Sequence, residues 1–183
     1  MKIFFFILLF STIIFSCKEE KVPRPDVYEI RSIGLLSTTE FTLGKIVKLN
    51  DDQEWYKFGD RKILISTKAK VKAGINLMDL REGDIEVIGN KIKIKLPGVT
   101  ITSFEMNPDD IHTEMVDVNG FRMGFTQEEK NTILRMGEKS IRKEVYSTNI
   151  LQEATKNTSS FVKDFYSQMG YDEVIIEYRE DEK

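Results

Sequence analysis

The chain has little cysteine, little histidine and no surplus of positive charge. Cys17 is the only cysteine in 183 residues, which excludes an intrachain disulfide. His112 is the only histidine, and no zinc-site or EF-hand spacing surrounds it. Lysine and arginine total 27 against 30 aspartates and glutamates, a net charge of −3. That balance gives no support for nucleic-acid binding, which usually needs a strongly basic domain. No internal repeat or low-complexity tract interrupts the chain, and no long apolar run follows residue 16. There is no nucleophile elbow and no serine in a recognisable histidine context, so no catalytic residue is assigned.

What is present begins at the first residues. Lys2 is a positive start, Ile3 to Phe15 is apolar except for Ser11 and Thr12, and Ile14-Phe15-Ser16-Cys17 closes the run. The run is shorter than the ~20 residues that a permanent helical anchor needs, and it has the organisation of an export signal. A small residue directly before a cysteine suits a lipoprotein signal peptidase. The tetrapeptide resembles the bacterial lipobox, with Phe15 standing where a smaller residue is commoner. The expectation is cleavage between Ser16 and Cys17, with Cys17 carrying diacylglycerol and palmitate-type acyl chains. Residues 1–16 would be removed, 17–27 would be the lipidated tether, and 28–183 would form a single domain. Losing Lys2 leaves 26 basic and 30 acidic residues, a net charge of −4.

Lys18-Glu19-Glu20 resembles the signal that sends some bacterial lipoproteins to the outer face of the outer membrane. A solvated charged tether reads the same residues equally well. Val22-Pro23-Arg24-Pro25 is an extended linker. From Lys18 to Asp26 it reaches on the order of 30 Å at ~3.3 Å per residue, so the domain is expected close to its membrane.

Periodicity then predicts the elements. Tyr28 to Leu36 reads as a short helix. Ser37 to Leu49 alternates as a strand, Asp51-Asp52 turns, and Trp55 to Phe58 is another short strand. Ile63, Ile65, Ala69, Val71, Ala73 and Ile75 share one face of the clearest strand; Lys62, Ser66, Lys68, Lys70 and Lys72 share the other. Asn76 to Gly83 is a connection with one helical turn. Asp84 to Ile88, Gly89-Asn90 and Lys91 to Leu96 form a hairpin, with Val87 facing Ile92, Ile85 facing Ile94, and Glu86 facing Lys93. Val99 to Met106 is a strand and Asn107 to Asp110 a loop. A second hairpin is expected about Asn119-Gly120, pairing Val118 with Phe121 and Asp117 with Arg122. Thr126-Gln127-Glu128-Glu129 has the form of a capping box. The helix it starts should run towards Tyr146 with Ile133, Leu134, Ile141 and Val145 inward. Ser147 to Asn149 is a break, after which Leu151, Ala154, Phe161, Val162, Phe165 and Met169 are expected inward. Gly170 is a helix stop, Val174 to Tyr178 a last strand, and Arg179 to Lys183 a charged tail. The fold class is α+β: a mostly antiparallel sheet packed against a long C-terminal amphipathic helix, followed by a final short strand.

Four short motifs fall in this order. Phe58-Gly59-Asp60-Arg61-Lys62 leads into Lys72-Ala73-Gly74-Ile75-Asn76. Leu96-Pro97 closes the hairpin, and Met169-Gly170-Tyr171 ends the long helix. The pattern resembles the domain of unknown function 4230 family over Ile30 to Tyr178. The resemblance implies an exported, often membrane-tethered α+β domain with no assigned activity. Asn76 stands where an aspartate is expected.

Three places merit comparison as sites. Asp109, Asp110, Glu114 and Asp117 surround His112, a metal-like composition that also describes an acidic loop entering a strand; no metal or other cofactor is assigned. Asp60-Arg61 after Gly59 is either a turn or an anion clamp. Lys68, Lys70 and Lys72 on one strand, with Arg61, are the candidate anion-binding face. If Lys91, Lys93 and Lys95 lay beside them, the sheet would offer a basic surface to anionic lipid or glycan; solvated lysines that discourage edge pairing are the plainer reading. The expected function is therefore a lipid-anchored binding or interaction module of the bacterial cell envelope. The alternatives are a carboxylate-dependent envelope hydrolase and a purely structural envelope protein. Partners would be the membrane, through the lipid, and an envelope protein, glycan or anionic lipid.

Overall fold

One long alternating strand organises the chain. The computed structural model describes residues 24–51, 59–120 and 122–179. The leader, Cys17, the Trp55–Phe58 strand, Phe121 and the tail beyond Arg179 lie outside the described residues. Strand β1 is Leu35–Asp51 and β2 is Arg61–Asn76; they pair antiparallel from Asp51 opposite Arg61 to Leu35 opposite Asn76. The other edge of β2 is shared. Its C-terminal half carries β5 (Thr100–Glu105) and its N-terminal half carries β6 (His112–Val118), both antiparallel. A second sheet has β4 (Lys91–Leu96) in the middle, antiparallel to β3 (Ile85–Ile88) and parallel to β7 (Glu173–Tyr178). Helix α1 is Val27–Ser32, α2 is Gln127–Val145 and α3 is Ile150–Gln168.

The period-two face of β2 carries the core. Ile63 and Ile65 pack with Ile133 of α2. Ala69, Val71 and Ala73 pack with Ile141, Val145, Ile150 and Ala154. Ile75 meets the second sheet through Ile92, Ile94 and Leu96, under Val162 and Tyr166 of α3. Buried apolar area of this kind is worth roughly 25 cal/mol per Å², so β2 is the element whose register the whole interior depends on.

Local chemistry sets the helix ends as expected. Thr126 Oγ1 accepts from the Glu129 N–H at 3.2 Å, and Glu129 Oε2 accepts from the Thr126 N–H at 2.7 Å. Ser147 and Thr148 donate their hydroxyls to the Glu144 and Val145 carbonyls at 2.7 and 2.6 Å, closing α2. Gly170 takes φ +99°, which lets the Tyr171 N–H reach the Tyr166 carbonyl at 3.2 Å. The first hairpin has the expected register, Ile85 opposite Ile94, Glu86 opposite Lys93 and Val87 opposite Ile92.

Four expectations need correction. The first helix stops at Ser32, because Gly34 at φ +77° turns the chain into β1. Of the second hairpin, Phe121 lies outside the described residues, while Arg122 and Met123 are in no strand: β6 pairs with β2, placing Asp117 opposite Lys62, and Arg122 reaches Asp51 instead. Lys91, Lys93 and Lys95 lie in a different sheet from Lys68, Lys70 and Lys72, so no continuous lysine face exists. Phe161 and Phe165 remain 50% and 48% exposed. The buried stripe of α3 is Ile150, Ala154, Thr158, Val162 and Tyr166 at four-residue steps, which leaves the two phenylalanines one position off it. Thr158 can hold a core position because β1 bulges at Thr38, whose hydroxyl lies 2.8 Å from that of Thr158.

Candidate functional site

The off-stripe phenylalanines form the wall of a pocket. It lies between α1, the C-terminal half of α3 and the second sheet, and has a volume of about 310 Å³. That is about twice the ~150 Å³ cavity that admits benzene and at the lower end of the ~300–1,000 Å³ range of ligand pockets. Leu77, Leu80, Ile94, Leu96 and Tyr166, all buried, are its floor. Ile30 and Ile33 face Phe161, Phe165 and Met169 across it, while Pro25, Asp26 and Glu29 form the rim.

Each wall has a local cause. Asp26 caps α1 by accepting from the Tyr28 N–H at 2.9 Å. Tyr28 donates its hydroxyl to Glu82, and that bond raises the phenol's pKa. The Leu77 N–H reaches the Gly34 carbonyl at 2.8 Å, tying the end of α1 to the pocket floor. No residue of α1 is buried; Val27 and Ile30 pack against the core from the edge, and Ile30 and Ile33 line the cavity. Phe161 and Phe165 stack at 6.3 Å between centroids; Phe165 meets Tyr166 edge-on at 5.2 Å, and Tyr166 meets Tyr171 at 6.0 Å. Burial pushes the Tyr166 phenol up to about 12, so it stays neutral. The lining is therefore apolar throughout, with two carboxylates at the mouth, and its chemistry suits an uncharged apolar group.

The residues that sequence reasoning selected lie elsewhere and apart. Arg61 is 13% exposed and embraced by acids: Nε donates to Asp51 Oδ2 at 3.0 Å and Nη2 to Glu129 Oε1 at 2.8 Å. Arg122 also donates to Asp51, and the Arg61 guanidinium lies 4.7 Å from the Phe125 ring centroid. These bonds hold the Asp51 carboxyl below the usual carboxylate range, first through Arg61; Glu129 is lowered first by the Thr126 N–H and then by Arg61. Arg61 thus fastens β1, β2 and the start of α2, and is not brought to Lys68, Lys70 and Lys72. Those lysines sit on the outer face of β2 among acids. Lys72 Nζ is 3.7 Å from Glu40, and Lys70 is opposite Glu105. Lys93 pairs with Glu177 at 2.9 Å and Lys91 with Glu173, partners that only the parallel β4–β7 pairing supplies. His112 is exposed at the start of β6, and Glu114 accepts from Ser66. Among the described residues, no three His, Cys, Asp or Glu side chains gather as a metal would need.

Sequence reasoning missed the pocket because it sorted Phe161 and Phe165 with the core. The available signal was their i, i+4 spacing one residue off the Ala154–Thr158–Val162 stripe.

A family model described as protein of unknown function (DUF4230) matches residues 28–176. That range runs from within α1 into β7, taking in β1 to β6 whole and β7 as far as Ile176. No curated protein and no solved structure matches the chain. The matched segment takes in the Gly59 turn, the Leu96-Pro97 strand end and the Met169-Gly170-Tyr171 helix stop, and on it the chain belongs to the DUF4230 family of proteins of unknown function.

Proposed function

We propose that this chain is a membrane-tethered lipoprotein of the cell envelope, anchored through Cys17, whose domain binds an uncharged apolar ligand between α1 and α3. One observation carries the binding part: the apolar pocket of about 310 Å³ walled by Ile33, Phe161 and Phe165. Exposed apolar side chains grouped around a concavity are a common mark of a binding site, whereas scattered ones need no explanation. The tether rests on the sequence, on the apolar leader that ends at Ser16 and the lone cysteine after it. Surface display rests on Lys18-Glu19-Glu20 alone. The hydrolase alternative draws on Asp26 and Glu29 at the rim, and there Asp26 already caps α1. An anion-binding role for Lys68, Lys70 and Lys72 has less support, since Glu40 and Glu105 interleave with them.

The binding test is titration of the purified protein with a neutral, environment-sensitive naphthylamine dye. Ile33→Asp and Phe161→Asp place a charge at the mouth on exposed positions, and each should weaken uptake. Ile88→Asp, at a position 76% exposed and away from the pocket, should not. Equal uptake by all three would refute the site. The tether is tested by Cys17→Ala, which should move the protein from the membrane to the soluble fraction. Protease treatment of intact cells reads display: full protection until the outer membrane is opened would place the domain inside.

A further inference from the structure

From the position of the pocket relative to Cys17, we infer that its occupant is an acyl chain of the protein's own N-terminal lipid. The inference rests on Cys17 being lipidated, as proposed above, and adds that one of the chains leaves the bilayer and enters the domain.

Three observations converge on that occupant. The first is position. The rim of the pocket begins at Pro25 and Asp26, the point where the tether joins the domain. Cys17 is eight residues upstream, so at ~3.3 Å per residue the tether spans at most about 26 Å. It is long enough to fold back on Pro25 and too short to carry the mouth far from the headgroups. A ligand on a short covalent link is presented at a high effective concentration, without diffusion from elsewhere.

The second is charge. Asp26 and Glu29 line the mouth. They oppose the carboxylate of a free fatty acid. An acyl chain held through an ester or amide on a lipidated cysteine carries no charge there, and Lys18, the next residue, has the sign those two carboxylates attract.

The third is the wall itself. Ile33, Phe161 and Phe165 are 64%, 50% and 48% exposed around the cavity. An acyl chain moved from bilayer to pocket stays in apolar surroundings, while the wall leaves water, so the exchange is favourable by the wall's area. Two or more chains anchor a protein firmly and a single one only marginally. A triacylated cysteine can therefore surrender one chain to the pocket and remain on the membrane. The pocket then acts as a latch that fixes the domain's orientation over its anchor.

Cells producing the full chain with its leader, grown on a diazirine-bearing fatty acid, supply the test. The labelled protein is irradiated in the membrane, purified and digested. The expected product joins the Cys17 lipopeptide to peptides containing Ile33 or Phe161 to Phe165. Ile33→Asp and Phe161→Asp should each lower its yield about tenfold, the loss expected when contact with roughly two methylenes is forfeited, with labelling of Cys17 unchanged. Cross-links from those peptides to free phospholipid only would overturn the inference in favour of a membrane lipid. Cross-links that form only between isotopically distinct copies would overturn it in favour of a second molecule. Labelled Cys17 with no link to either wall would overturn it while leaving the tether intact, whereas Cys17 without any label would remove the tether and the inference together.

Discussion

At the scale of single residues, the Asp51–Arg61–Glu129 cluster makes the clearest prediction. Asp51 and Glu129 both have folded-state pKa values below their ordinary 3.8 and 4.5. A carboxyl lowered on folding stabilises the protein above its unfolded pKa, and that stability fades as pH falls through the folded value. Urea midpoints should thus be flat near neutrality and fall from about pH 5 downward, where unfolded carboxylates begin to protonate. Arg61→Ala should cost about 2 kcal/mol at neutral pH, the range for hydrogen bonds to charged groups, and should shrink the acid-dependent part of the loss. An unchanged acid profile in that variant would contradict the role given to Arg61. Thr67 predicts a gain. Its methyl lies against Gly137, and its buried hydroxyl finds no hydrogen-bond partner among the described residues. Thr67→Val keeps the shape, removes the orphan oxygen and should raise stability by about 1 kcal/mol in denaturant titration. Neither effect was legible in the sequence. Arg61 read there as a turn or anion-clamp residue and as part of an anion-binding face with Lys68, Lys70 and Lys72, because its partners arrive from β1 and α2; apolar alternation along β2 says nothing of whether the Thr67 hydroxyl is partnered.

At the scale of elements, what could be read was what short-range chemistry fixes. The Gly89-Asn90 turn, the Thr126 capping box and the Ser147–Asn149 break all depend on residues within a few positions, and each forms where expected. Thr126→Ala should cost about 1 kcal/mol, measured by thermal or urea unfolding. The second hairpin failed for the opposite reason. Asn119-Gly120 does turn the chain, with Gly120 at φ +72°, but β2 is long enough to offer its free edge to β6 and captures it. Gly74 shows a constraint that only the fold reveals. Its φ is ordinary, yet a Cβ there would stand 1.9 Å from the Leu36 carbonyl oxygen, across the bulged end of β1. Gly74→Ala should cost about 3 kcal/mol, since backbone rather than a mobile side chain must yield.

At the scale of the whole molecule, the family and the α+β class were legible because they rest on patterns spread over the chain. Among the described residues four of the five strand pairings are antiparallel, and helices α2 and α3 cover the inner face of β2. The pocket was not legible. It is assembled from α1, the Leu77–Leu80 turn, β4 and α3, which lie far apart in sequence and meet through the β1–β2 pairing and the parallel return of β7 to β4. Its opening beside Pro25 connects the two halves of the account, the tether read from the leader and the apolar cavity read from the fold. Methyl-resolved NMR of the isoleucine-labelled protein during titration with a neutral monoacylglycerol tests that connection most directly. The account predicts shifts at Ile30, Ile33, Ile85 and Ile94, with Ile46, Ile63 and Ile133 unmoved; shifts at the latter three, or none at the former four, would contradict it.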